Sequence, residues 1–109
     1  MLRIRGKTIG INRGDVVSIS ISFEDNPPED GTEVRFCVKD MDREVIAKTL
    51  TVADGAMTLD LNSGDTNIPK GIYTWGLYVF MTDTDGYAPL ASAGFEVEES
   101  TAYPGAVVV

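Results

Sequence analysis

The chain has 109 residues, a net charge of −8 and an isoelectric point near 4.3. One domain of that size buries a working core without metal or disulfide staples. The acidic balance argues against nucleic acid or an anionic membrane as partner, since phosphate neutralisation needs clustered Lys and Arg.

No stretch approaches the roughly 18 consecutive apolar residues of a membrane span, and no apolar h-region follows the basic start Met1–Lys7, so no secretory signal is read. Cys37 is the only cysteine, which leaves no intrachain disulfide. Histidine is absent, removing the usual general base near neutral pH and the commonest metal ligand.

Residues 2–11 alternate weakly through Leu2, Ile4, Ile9 and Ile11 and break at Gly6 and Gly10. They read as a short edge strand or arm within residues 1–12. Arg13-Gly14-Asp15 turns the chain into a strand with Val17, Ile19, Ile21 and Phe23 on one face and serines on the other. Asn26–Gly31, with two prolines, reads as loop.

Val34, Phe36 and Val38 point inward on the next strand, Arg35, Cys37 and Lys39 outward. Asp40–Arg43 is a turn, and 44–52 a looser strand carrying Ile46, Leu50 and Val52. Asp54-Gly55 is a hairpin signal before Met57, Leu59 and Leu61. A single helical turn is expected near Ser63–Asn67.

The chain is organised around the strand that follows. Tyr73, Trp75, Leu77, Val79 and Met81 recur with the two-residue period of one strand face. Asp83–Gly86 is a second hairpin turn, and Ala91, Ala93, Phe95 and Val97 face inward on the last core strand. Short strands with a turn about every ten residues predict an all-β, immunoglobulin-like antiparallel β-sandwich of about seven strands. It fills residues 1–99, with 100–109 as a tail. Phe36, Leu59, Tyr73, Trp75, Leu77 and Phe95 are its expected core.

Candidate chemistry is thin. Cys37 lies between Arg35 and Lys39, cations that lower a thiol pKa, yet no base accompanies it. Asp83, Asp85 and Gly86 resemble part of a calcium loop but lack its sixth-position glycine and terminal Glu, so they read as a turn. Arg13-Gly14-Asp15 reads as turn chemistry rather than an adhesive tripeptide. Asp65, Gly71, Tyr73 and Trp75 read as a structural corner. Asp65 caps the turn, Gly71 supplies a positive-φ approach, and the Tyr73 hydroxyl bonds back upstream as in immunoglobulin-like sandwiches. No catalytic residue, metal or cofactor is expected.

Two surfaces suggest assembly. Tyr78 and Phe80 lie opposite Leu77, Val79 and Met81, making one apolar run that should be covered on both faces, by a loop, the N-terminal arm or another subunit. In the tail, Tyr103, Val107, Val108 and Val109 flank or follow the Pro104-Gly105 break and suit pairing along a sheet edge. The Leu2–Ile11 arm has the same character.

Several motifs stand in a telling order: Arg13-Gly14-Asp15, Val34-Arg35-Phe36-Cys37-Val38-Lys39, Leu61 with Asp65-Thr66, Ile68-Pro69-Lys70-Gly71-Ile72-Tyr73-Thr74-Trp75, and Gly94-Phe95-Glu96-Val97. Across residues 3–99 the chain resembles the immunoglobulin-like N-terminal domain of phage baseplate upper proteins and related small prophage tail-region proteins. Trp75 stands where that family usually has Tyr, and Gly76 where Asp is common.

The resemblance implies a non-enzymatic virion structural protein, made in the bacterial cytoplasm and joined to other virion proteins or copies of itself in a baseplate, tail, neck or head. Larger relatives carry receptor-binding partners on a C-terminal extension, whereas this sequence stops at residue 109, which leaves a decoration role equally open. The alternative is a bacterial surface adhesion or carbohydrate-binding sandwich, which would need an outward aromatic cluster.

Overall fold

A computed structural model describes residues 2–23 and 26–99. Eight strands follow in order: β1 (Arg3–Arg5), β2 (Thr8–Asn12), β3 (Val17–Ser22), β4 (Glu33–Asp40), β5 (Arg43–Thr51), β6 (Ala56–Leu61), β7 (Gly71–Met81) and β8 (Gly86–Glu98). They form a six-stranded sheet, β1-β2-β8-β7-β4-β5, and a two-stranded sheet, β3-β6. The expected all-β sandwich is the architecture.

One pairing departs from the antiparallel expectation. β2 runs parallel to β8, from Ile9 beside Phe95 to Asn12 beside Glu98. Parallel neighbours need a long connection, and here nearly the whole chain supplies it. Ile9 and Ile11 are thereby buried. The Leu2–Ile11 arm is therefore not a free edge: it folds as the β1–β2 hairpin against its own domain. Gly6, at φ +60, makes the turn, but Gly10 does not break the strand. The Arg3 side chain lies across Gly10, where a Cβ would come within 3.1 Å of the guanidinium.

Alternation decides which faces meet. Val34, Phe36 and Val38 of β4, Tyr73, Trp75 and Leu77 of β7, and Phe95 and Val97 of β8 face Val17 and Ile19 of β3 and Met57, Leu59 and Leu61 of β6 in one core. Phe36 and Trp75 stack with ring centroids 6.0 Å apart. The Trp75 indole N–H donates to the Lys7 carbonyl at 2.8 Å, which ties the N-terminal hairpin to the core. Strand β5 alternates loosely because Lys48 shares the parity of Ile46 and Leu50. Its ammonium reaches Asp65 at 2.9 Å.

The turns at one end share a pattern absent from the expectations above. Asn12-Arg13-Gly14-Asp15 and Asn62-Ser63-Gly64-Asp65 both read Asn-x-Gly-Asp. In each, the aspartate Oδ2 accepts the asparagine N–H at 2.9 Å. Thr66, fully buried, locks them together by donating its hydroxyl to the Asp15 carbonyl at 2.7 Å. Ser63–Asn67 makes the expected single helical turn, in which the Thr66 N–H donates to the Asn62 carbonyl four residues back, and it is not continued into a helix.

Candidate functional site

The corner forms as expected in its main feature. The Tyr73 hydroxyl donates to the Pro69 carbonyl four residues upstream, the tyrosine-corner bond of immunoglobulin-like sandwiches. Burial, with Asp40 nearby, pushes the Tyr73 phenol pKa up. Asp65 caps as expected, but reciprocally: its own N–H donates to Asn62 Oδ1 at 2.8 Å. Burial pushes the Asp65 carboxyl up, yet the Asn62 N–H and the Lys48 ammonium outweigh it and hold the pKa below the usual aspartate value.

Gly71 corrects the expectation. It is not among the positive-φ residues. It opens β7 in register with Val97, and a Cβ there would meet the Tyr73 ring at an ordinary 3.7 Å.

The apolar run of β7 is covered unevenly. Leu77 is buried, Tyr78, Val79 and Phe80 are half-buried, and Met81 is exposed. Among the described residues, cross-strand neighbours cover Tyr78 and Phe80. Phe80 meets Tyr87 edge-on at 5.3 Å, and the Lys39 ammonium stands 5.6 Å from the Tyr78 ring centre.

The bulge in β8 assembles this patch. Leu77 pairs with Ala91 but Tyr78 with Pro89, so Leu90 is the extra residue and stays exposed. Beyond it, Pro89 and Tyr87 stand beside Tyr78 and Phe80 on the outer face of the six-stranded sheet. Charged groups rim the aromatics. Arg35 Nη2 and Glu44 Oε1 pair at 2.6 Å, and the Tyr87 hydroxyl donates to Glu33 Oε1 at 3.1 Å. The sequence marks Tyr87, like Tyr78 and Phe80, as an outward aromatic, but alternation alone cannot locate the bulge that brings them together or the exposed Leu90.

Gly76 has a specific reason to be glycine. The Tyr78 ring folds back over it, so that a Cβ would sit 3.0 Å from the ring. Cys37, its direct partner on β4, is 1% exposed. Alternation thus puts Cys37 on the outer face as expected, but the thiol there is buried and not solvent-facing. Burial, aided by Glu44, raises the Cys37 pKa and outweighs the lowering by Lys39 and Arg35.

The remaining candidates resolve as turns. Arg13 is bonded to Asn67 at 3.0 Å and to Glu99 at 3.4 Å, and Asp15 to the Asn12 N–H. The Arg13-Gly14-Asp15 charges are thus engaged within the domain. Asp83–Gly86 closes the β7–β8 hairpin, with Asp85 at φ 52. Among the described residues, no three His, Cys, Asp or Glu side chains gather as a metal site would need. Tyr103, Val107, Val108 and Val109 lie outside the described residues. No protein-family model matches the chain, and no curated protein resembles it significantly in sequence.

Proposed function

We propose that this domain is a non-enzymatic structural module of a bacteriophage or prophage virion, acting through protein–protein contacts in a homo-oligomer or with other virion proteins. The resemblance in motif order supports the virion setting. The observation that carries the assembly role is the outer patch of Tyr78, Phe80 and Tyr87.

Two bases, Arg35 and Lys39, and two acids, Glu33 and Glu44, rim that patch, so it is locally neutral on a chain of net charge −8. Copies of an acidic protein repel across most of their surface. They approach at least cost where charge balances and apolar area is waiting to be buried. Replacing Tyr78 and Phe80 together by Ser is expected to lower the oligomeric mass in light scattering while the circular dichroism stays that of the folded domain. An unchanged mass removes the patch from assembly.

A second reading has its own support. Aromatic side chains gathered on one sheet face beside Arg35, Glu44 and Glu33 are what a carbohydrate-binding sandwich presents. Glycan binding that is lost on Tyr87→Ala, in protein whose mass is unaffected, would favour that reading over assembly.

A further inference from the structure

The two sheets are unequal: two strands face six. Among the described residues, β3 pairs with β6 on one side and with no strand on the other. The ladder fixes which backbone groups that leaves open. Phe23 donates its N–H to the Gly55 carbonyl at 3.0 Å, continuing the register that sets Ser22 beside Ala56. Hydrogen-bonded and non-hydrogen-bonded pairs alternate along an antiparallel ladder. Val17, Ile19 and Ile21 therefore bond to β6, and the N–H and C=O groups of Ser18, Ser20 and Ser22 point to the open edge.

The other described edges carry protection against strand addition. β5 has Arg43, Glu44 and Lys48, and β1 is three residues long. β6 has Asp60 and neighbours β5. β8, where β2 does not cover it, has Pro89 and the Leu90 bulge. β3 has none of these. Val17–Ser22 is regular Val, Ile and Ser, without charge, proline or register shift. Its inner row is also incompletely sheltered, since Ile21 and Phe23 pack against the core yet stay half-exposed.

We infer that this edge takes β3 of a second copy, paired antiparallel about a two-fold axis at Ser20. The strand itself sets the register. Residues directly opposite in an antiparallel pair lie on the same face, so serine must oppose serine if the apolar row is to stay inside. Centred on Ser20, each Ser18 opposes Ser22 of the second copy and the two Ser20 residues oppose one another. All three open residues then exchange both backbone bonds. Centring on Ile19 would set Ser22 against Val16, which lies before the strand.

On the inner side this register sets Ile19 against Ile21 and Val17 against Phe23, which covers the two half-exposed side chains. No opposed pair carries charge, whereas copies of a chain of net charge −8 repel over most of their surface. The product is an isologous dimer with one four-stranded sheet, β6-β3-β3-β6, shared between two domains. This contact lies in the sheet opposite the aromatic patch and does not rest on it.

Cysteine cross-linking tests it, in a Tyr78→Ser, Phe80→Ser background that removes the patch. Opposed residues of a hydrogen-bonded pair have Cα atoms about 5.5 Å apart, within disulfide reach. The two Ser18 residues would lie about 13 Å apart along the paired strands. Under mild oxidation Ser20→Cys is expected to give covalent dimer at least tenfold faster than Ser18→Cys. The background protein, whose Cys37 is buried, should give none.

Hydrogen exchange and light scattering supply the second readout. The Ser18, Ser20 and Ser22 amides should gain protection as protein concentration rises. Ser20→Lys sets like charges directly opposite, so it should abolish that gain and halve the mass while the circular dichroism stays unchanged. Equal, slow cross-linking of both cysteine variants, with fast amide exchange at every concentration, overturns the contact. Protection that is independent of concentration assigns the edge to the same chain and overturns it too. With the patch absent throughout, neither result depends on whether the patch assembles.

Discussion

Replacing Tyr73 by Phe isolates the corner. The substitution keeps the ring, which is buried in the core, and removes only the hydroxyl that donates to the Pro69 carbonyl. Two losses follow. The bond itself is worth about 0.5–1.5 kcal/mol net, and an acceptor left unpaired and sheltered from water costs about 1–3 kcal/mol in its place. Tyr73 is only 7% exposed, but Pro69 lies in the connection before β7, where water can replace part of what is lost. The lower half of that range is therefore expected, about 1–2 kcal/mol. For a domain of this size each 1 kcal/mol moves the melting temperature by roughly 4–8 °C.

Urea unfolding followed by circular dichroism measures the change, with Gly71→Ala as the companion variant. Since Gly71 has no positive φ and space for a Cβ at 3.7 Å from Tyr73, it is expected to lose much less stability. A Tyr73→Phe midpoint equal to the wild type would refute the corner as a stabilising device.

Trp75→Ala should cost on the order of 3–5 kcal/mol, because it removes the indole stacked on Phe36 and leaves a cavity. Trp75→Phe should retain most of that while freeing the Lys7 carbonyl, seen as faster amide exchange confined to the β1–β2 hairpin. Asp65 has a lowered folded-state pKa. Its contribution to stability is therefore full above the unfolded value of about 3.9 and lost as pH falls through the folded value. In Lys48→Met the contribution should be smaller and its loss complete at a higher pH, as followed by acid unfolding. Cys37 should react slowly with a thiol reagent in the native protein and markedly faster in Tyr78→Ala, where the ring over Gly76 is gone. Equal rates would mean that something other than Tyr78 shields it.

Most of the sandwich was legible in the sequence because its strands alternate cleanly: Val34–Val38, Met57–Leu61 and Tyr73–Leu77 each point large apolar side chains to one face. The corner was legible because a Tyr shortly after Pro-x-Gly is a local device. What escaped had non-local causes. The parallel pairing of β2 with β8 joins residues from opposite ends of the chain. Cys37 is buried beside Gly76, over which Tyr78 of another strand folds back, and Gly71 follows Pro-Lys in a sequence that looks like a positive-φ turn but enters the ladder directly. The aromatic patch was half legible: Tyr78 and Phe80 were identified, but the bulge that brings Tyr87 beside them was not. The repeated Asn-x-Gly-Asp was in plain view, and comparing the two turns would have revealed it.

The position of β8 governs when this domain can fold. It is made after the other seven described strands, yet it joins the β1–β2 hairpin to the β7-β4-β5 block. On a ribosome the earlier strands have no complete sheet to enter until Glu98 has emerged, at about 5–20 residues per second. Until then Ile9, Ile11, Tyr73 and Trp75 are left without Phe95 and Val97. A chain stalled or cut just short of β8 would carry two unpaired edges and an open core, a form prone to aggregate. Synthesis of this strand then acts as the checkpoint between nascent chain and folded domain.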